Sequence, residues 1–121
     1  MGRKQRRAPR QAPPKLKAPD SDYADPEGNV LTLRGALTPA TRRAYAGVLG
    51  GSPLSREDAW QRAVEFLFER LAVRWVIAGV PIERQRELLL RFRAGTSAER
   101  AWVRATLREH CVEHFPDVQA P

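Results

Sequence analysis

Apolar residues in the second half of the chain recur at the spacing of amphipathic helices, and capping residues mark where each run begins and ends. Thr38 is a suitable N-cap for a first helix, which begins at Pro39 and ends at Gly50. Ser55 is the corresponding cap of a second helix, which runs over residues 56–78 and is the longest of the predicted elements.

Two further helices follow the second one. Pro81 begins a third helix that ends at Gly95, and Thr96 with Glu99 forms a capping box for a fourth helix that ends before Pro116. Because the loops between these helices are short, neighbouring helices should pack antiparallel. The pattern therefore predicts an all-α fold, a compact bundle of about four helices.

The predicted second helix is apolar over most of its circumference, so other helices must cover it on most sides. Arg70 and Arg74 fall among its apolar residues and not on its solvent-facing stripe. Because an unpaired buried guanidinium group is very costly, each arginine must reach water, pair with a carboxylate or hold an anion. We expect a structural ion pair, and an anion pocket between helices is the alternative. The carboxylates available as partners are Glu83, Glu87, Glu109 and Glu113.

The segment before the first helix has little helical pattern. Residues 28–35 alternate briefly between apolar and polar positions, but this run is too short and too isolated to predict a sheet. We expect an extended strap across the helices instead. The predicted organisation is a disordered basic arm over residues 1–17, an acidic linker and strap over 18–36, a helical domain over 37–115 and a C-terminal tail over 116–121.

The net charge of +7 belongs to the predicted arm, because the remainder of the chain is neutral. Residues 1–17 contain seven basic residues, four of the ten prolines fall within residues 1–19, and no carboxylate precedes Asp20. A block of like charge repels itself and often binds a polyanion. The candidate nucleic-acid-binding residues are Arg3, Lys4, Arg6, Arg7, Arg10, Lys15 and Lys17.

Candidate catalytic chemistry is sparse. Residues 110–114 match the H-x-x-E-H pattern of inverted zinc proteases, with His110 and His114 one helical turn apart. The match ends seven residues before the last residue, so no downstream third ligand follows it, and we expect neither a metal nor another cofactor. Other paired nucleophiles, acids or bases are not evident, so we expect a protein that is not an enzyme.

Two arrangements of arginine invite a nucleic-acid interpretation. Residues 71–93 resemble a helix-turn-helix, but Trp75 occupies a position where that motif needs a small residue. Arg100, Arg104 and Arg108 recur every four residues along the fourth helix and could follow a phosphate backbone. In both cases an ordinary core or solvated helix face is the simpler interpretation.

The single cysteine, Cys111, excludes an intramolecular disulfide, which suits a reducing compartment. The longest apolar run, residues 75–80, is too short to span a bilayer. We therefore expect a cytoplasmic protein that does not act in a membrane.

The first hypothesis for function is a small, non-enzymatic, nucleic-acid-associated protein whose basic arm makes sequence-independent phosphate contacts with DNA or RNA. The alternative is a protein–protein adaptor or regulatory module, whose arm only steers association with an acidic protein partner. The sequence leaves the oligomeric state open.

Overall fold

The computed structural model describes residues 18–50 and 55–121, and it begins with a β-hairpin where a strap was expected. Strand β1, Ser21–Ala24, pairs antiparallel with strand β2, Val30–Leu33. The Asp25 carboxylate stabilises the turn between them, because it accepts hydrogen bonds from the backbone N–H of Glu27 (2.8 Å) and of Asn29 (2.9 Å).

A second hairpin replaces the end of the predicted second helix. Strand β3, Ala72–Ile77, pairs antiparallel with strand β4, Val80–Ile82. The two turn residues, Ala78 and Gly79, have φ values of 51° and 80°, as a type I′ hairpin turn requires. The side chain of Asn29 supports this conformation by accepting a 3.0 Å hydrogen bond from the Ala78 N–H.

The two hairpins join into one antiparallel sheet with the order β1-β2-β3-β4. Leu31 of β2 lies opposite Trp75 of β3, and Leu33 lies opposite Ala72. Each hairpin is followed by two helices, so the chain has the order ββαα twice. The helices are α1, Pro39–Gly50; α2, Arg56–Leu71; α3, Gln85–Ala94; and α4, Ser97–His114.

The predicted all-α bundle is therefore wrong, and the protein has an α+β fold. The error lies in residues 72–77, whose apolar side chains were read as the end of a helix. In the structure α2 ends at Leu71, and the Leu71 carbonyl accepts a 2.8 Å hydrogen bond from the Arg34 N–H beyond the end of β2. The backbone thus begins to pair with β2 where the helix ends. The next residues include several β-branched side chains, which favour a strand.

The core forms between the helices and one face of the sheet. Phe68 of α2 stacks on Phe92 of α3, with ring centroids 4.8 Å apart, and meets the Trp75 ring edge-on at 5.8 Å. Residues on the other face of the sheet remain partly or fully exposed, among them Asp22, Val30 and Arg74. The largest fully buried side chains are Trp75, Phe68, Phe92, Phe115, Leu31, Leu33, Leu67, Leu71, Leu88, Leu107, His110 and Val103.

Helix α1 packs on α2 and holds the end of the chain. Tyr45 of α1 is buried, and its hydroxyl donates a 2.6 Å hydrogen bond to the Gln119 carbonyl. Arg42 forms an ion pair with Asp117 at 3.0 Å. The predicted tail over residues 116–121 is thus packed against α1, with Val118 buried.

Among residues 18–50 and 55–121, no helix has the length and apolar composition needed to cross a membrane.

The close packing of residues 18–19 against Gly35 gives a stability prediction. A Cβ on Gly35 would overlap the Pro19 carbonyl oxygen and lie 2.8 Å from the Ala18 Cβ. We expect Gly35→Ala to lower the free energy of unfolding by about 1–3 kcal/mol, measured by urea denaturation, because the backbone of residues 18–19 must move.

Gly47 provides the matched control. It lies within α1, is exposed, and a Cβ there would have no neighbour within 4 Å. Gly47→Ala should raise stability by about 0.5–1 kcal/mol, because alanine loses less backbone entropy in a helix. If Gly35→Ala were equally stabilising, residues 18–19 would not pack on β2 as the structure shows.

Candidate functional site

The basic segment of the sequence joins the fold at one end of the sheet. There Ala18 and Pro19, the first described residues, lie against Gly35. The predicted disorder of the arm and its candidate binding residues fall outside the described part of the chain: Arg3, Lys4, Arg6, Arg7, Arg10, Lys15 and Lys17. The structure therefore shows where this segment is attached, namely beside the end of β2.

Four exposed arginines share this end of the sheet, and we call them the arginine edge: Arg34, Arg70, Arg74 and Arg84. Arg34 follows β2, and its N–H bond to Leu71 places it next to the end of α2, where Arg70 lies. Arg74 lies on β3 opposite Thr32, and Arg84 follows β4. Because adjacent strands are about 4.8 Å apart, the backbones of β2, β3 and β4 cover about 10 Å at this edge.

The arginine edge carries more positive charge than its neighbours neutralise. Its one ion pair among the described residues joins Arg74 Nε to Glu83 Oε2 at 3.5 Å. The Arg70 guanidinium lies 4.9 Å from the centroid of the Phe66 ring, an aromatic contact that leaves its charge uncompensated. Arg34 and Arg84 have no carboxylate within 4.0 Å in the described chain.

Arg70 and Arg74 are not buried among apolar residues as the helical pattern predicted. Arg74 lies on β3 rather than on a helix, and strand geometry turns its side chain to the exposed face of the sheet. Its partner, Glu83, is one of the four carboxylates considered from the sequence, but the two side chains are 49% and 64% exposed. The pair is therefore a surface ion pair, and the described residues form no enclosed anion pocket around it.

Several other arginines of the body form contacts between elements. Arg91 binds Glu99 at 2.7 Å and lies over the Trp75 ring, and Arg93 binds Glu65 at 2.8 Å. These hydrogen bonds lower the pKa of Glu99 and of Glu65, because each stabilises the charged carboxylate. Such pairs tie α3 to α4 and to α2, which distinguishes them from the free guanidinium groups of the arginine edge.

The arginine stripe on α4, for which a solvated helix face was the simpler interpretation, makes local contacts. Arg100 donates to the Gly95 carbonyl, and Arg108 donates to the Pro121 carbonyl at 3.1–3.2 Å. Arg104 is the exposed member for which no such contact is found among the described residues. The stripe therefore serves mainly to hold the ends of the fourth helix to their surroundings.

The helix-turn-helix interpretation of residues 71–93 is wrong. The segment proposed as its first helix is strand β3, and the proposed turn is the β3–β4 hairpin. Helix α3 does exist, but it packs through Leu88 and Phe92, and its first residue, Gln85, donates a 2.7 Å hydrogen bond to the Glu69 carbonyl. A recognition helix would instead project from the domain.

His110 and His114 both lie on α4, with ring centroids 4.4 Å apart. His110 is fully buried, and both of its ring nitrogens are engaged: Nε2 with the Arg34 carbonyl at 2.6 Å and Nδ1 with the Tyr23 hydroxyl at 2.7 Å. A metal ion at His110 would have to displace one of these partners. Within the described chain, no group of three His, Cys, Asp or Glu residues is placed to hold a metal ion.

Carboxylates line the β1 side of the same sheet end. Asp20 precedes β1, and Asp22 accepts a 2.6 Å hydrogen bond from the Thr32 hydroxyl. The predicted acidic linker is thus part of the first hairpin, and Asp25 builds its turn. The positive character of the edge is confined to the β2–β4 side.

Sequence reasoning missed Arg34, and it considered Arg84 only as part of the helix-turn-helix interpretation of residues 71–93. Nothing local marks them, because their proximity depends on β2 pairing with β3 and β3 with β4. No family model, curated protein or solved structure matches this chain, so its function must be argued from its own residues and geometry.

The exposure of the Arg74–Glu83 pair gives a second stability prediction. Arg74→Ala should cost less than about 1 kcal/mol in urea unfolding, because an exposed pair contributes little. Arg91→Ala should cost about 2 kcal/mol, since it removes two hydrogen bonds to Glu99 from a side chain that is 29% exposed. Equal losses for the two variants would contradict the orientation of β3.

Proposed function

We propose that the protein is a small, non-enzymatic, nucleic-acid-associated protein. In this proposal the basic segment, residues 1–17, makes sequence-independent contacts with the phosphates of DNA or RNA, and the arginine edge extends these contacts onto the folded body. The observation that carries the proposal is the position of the attachment point, since Ala18 lies at Gly35, the residue that follows Arg34.

Charge distribution supports this arrangement. The described body contains equal numbers of basic and acidic residues, yet four guanidinium groups meet only one bound carboxylate at the arginine edge. Affinity for a polyanion therefore comes from position and not from the net charge of the body. Phosphate contacts of this kind release counterions and carry no sequence information.

A cytoplasmic location is part of the same proposal. Cys111 is buried and free, and burial raises its pKa to about 11, so the thiol is held in its unreactive form. An unpaired structural thiol of this kind suits a reducing compartment.

Salt-dependent binding tests the function. A full-length variant with the seven basic residues of segment 1–17 replaced by glutamine should lose most of its affinity for duplex DNA and for RNA at low salt. The measurement is a titration by fluorescence anisotropy at several salt concentrations. Unchanged affinity in this variant would contradict the proposed function.

A second pair of variants tests the contribution of the body. Arg34→Gln with Arg84→Gln should reduce the slope of log K against log salt by about 2 for duplex DNA, because each lost phosphate contact contributes about 0.9. The control is Arg56→Gln with Arg104→Gln, two exposed arginines outside the arginine edge. Arg56 begins α2 and lies about 22 Å along that helix from Leu71.

The two double variants change the net charge equally, so they separate position from charge. If both reduce the slope by the same amount, the body contributes through its overall charge, and the arginine edge is not an interface. If only the Arg34/Arg84 variant does so, contact at the edge is supported.

One observation favours the adaptor function as a second candidate. A groove of about 470 Å³ lies between α2 and α3, and Leu90 beside it is 55% exposed. A protein partner bound there would contact the apolar side chains of Leu89 and Leu90, and this part of the binding would depend little on salt. Binding that survives nuclease treatment and high salt and is lost in Leu90→Asp would favour this function. The residues lining the groove are Glu69, Gln85, Arg86, Leu89, Leu90 and Arg93.

A further inference from the structure

His110 ties three parts of the fold together through its imidazole ring. The Arg34 carbonyl can only accept a hydrogen bond, so His110 Nε2 must carry the proton in the 2.6 Å contact between them. In a neutral ring Nδ1 is then an acceptor, and the Tyr23 hydroxyl donates to it at 2.7 Å. One neutral tautomer of His110, on α4, therefore forms both hydrogen bonds, to Tyr23 on β1 and to Arg34 at the end of β2.

Strand β1 has few other attachments to the body. None of its four residues is fully buried, and Tyr23 packs at the margin of the core. Besides its backbone pairing with β2, it has the 2.6 Å hydrogen bond from the Thr32 hydroxyl to Asp22 and a weak 3.4 Å contact between the Ser21 hydroxyl and His114 Nε2. The fully buried core is built from residues of β2, β3 and the helices and includes none of β1, so opening this strand would uncover the margin of the core around Tyr23 and His110.

The surroundings of His110 favour its neutral form while β1 is in place. The ring is fully buried, and burial lowers its pKa below the ordinary 6.5. The neighbouring His114 on α4 acts in the same direction. The hydrogen bond to the Arg34 carbonyl acts in the opposite direction, as do Glu113 on α4 and Asp20 before β1, but burial has the largest effect on the pKa of His110.

The remaining groups near Tyr23 and the His110 ring lie on α4 or directly after it. Glu109 and Glu113 lie close enough to Tyr23 to raise the pKa of its phenol, although burial contributes more to that rise. Phe115 meets the His110 ring edge-on with centroids 5.7 Å apart, and Cys111 is the adjacent residue on α4. Among the described residues, the Tyr23 hydroxyl is the group that is hydrogen-bonded to His110 Nδ1.

We propose that His110 is a pH-sensitive latch that holds β1, and with it the attachment point of segment 1–17, to the sheet. When β1 separates, Nδ1 loses the Tyr23 hydroxyl and becomes accessible to water, so the open form takes up one proton at that atom. The closed form is stabilised above the ordinary pKa of 6.5, and this stabilisation is lost as the pH falls through the lowered pKa of the folded state. Between the ordinary pKa of 6.5 and the lowered pKa of the closed form, the open population rises about tenfold for each unit by which the pH falls.

Amide hydrogen exchange of the full chain, without nucleic acid, tests the latch. Protection factors corrected for intrinsic exchange would be measured between about pH 7.5 and about pH 5, on either side of the ordinary histidine value. We expect the amides of β1 and those of β2 that bond to it to lose up to tenfold protection per pH unit within the window. Amides in the middle of α2, such as Leu67 and Phe68, should keep theirs.

Three variants assign the effect to its residue. His110→Gln, whose amide can still donate to the Arg34 carbonyl, should abolish the pH dependence of β1 protection. His114→Gln is the matched control and should retain it. If His110→Gln does not fold, Tyr23→Phe keeps the aromatic ring of residue 23 and removes the hydroxyl that donates to His110. The protection of the β1 amides should then be lower at neutral pH and should change less as the pH falls.

Four outcomes would overturn the proposal. They are an equal loss of protection in α2 and β1, no pH dependence in β1, loss of the dependence in His114→Gln alone, and a Tyr23→Phe variant indistinguishable from the unmodified protein. The measurement concerns β1 and is made without nucleic acid, so its result does not depend on what segment 1–17 binds.

Discussion

Strands β2 and β3 pair although both α1 and α2 lie between them in the sequence. Leu33 lies opposite Ala72 and Val30 opposite Val76. This pairing joins the first ββαα unit to the second, since each hairpin alone has only two strands and two-stranded sheets are marginally stable in water. It also brings Leu31 and Leu33 onto the same face as Trp75, where the helices cover them. Because the pairing closes a long loop, we expect it to form late in folding, after α1 and α2.

The same pairing creates the candidate site. The Arg34 N–H bond to Leu71 continues the β2–β3 register by one residue and brings two exposed arginines of different elements together. The Arg34 carbonyl is bound by His110 of α4. Arg34 is thus fixed through both of its backbone polar groups while its side chain stays exposed. A charge presented from a fixed backbone can take part in a binding surface without first ordering a loop.

Local signals in the sequence predicted three of the four helix starts correctly, and long-range pairing explains what they missed. The prediction that Pro81 begins the third helix is wrong, because Pro81 pairs with Val76 in strand β4 and α3 begins only at Gln85. The caps Thr38, Ser55 and Thr96 act within one turn, and α1, α2 and α4 begin where these residues predicted. Residues 72–77 carry no such local mark, because an apolar run suits a buried helix or a strand equally well. The sequence predicts a helix end at Ala78–Gly79, but this pair forms a hairpin turn with positive φ values. The turn is supported by a hydrogen bond to Asn29 of the other hairpin, a contact that no local pattern can indicate.

The candidate site was less predictable than the fold for a related reason. The charge asymmetry between residues 1–17 and the remainder is visible in the sequence, and it motivated the nucleic-acid hypothesis. Which arginines of a neutral body stay free is decided by geometry, as Arg91 and Arg93 show by binding carboxylates on other helices. Arg34 and Arg84 lie just beyond strand ends, and no carboxylate of the described chain is within 4.0 Å of either. A neutral domain can add to the positive electrostatic potential of a basic segment where some of its own arginines lack a carboxylate partner. The arginine edge is such a place, and it lies at the end of the sheet where residues 18–19 pack on Gly35.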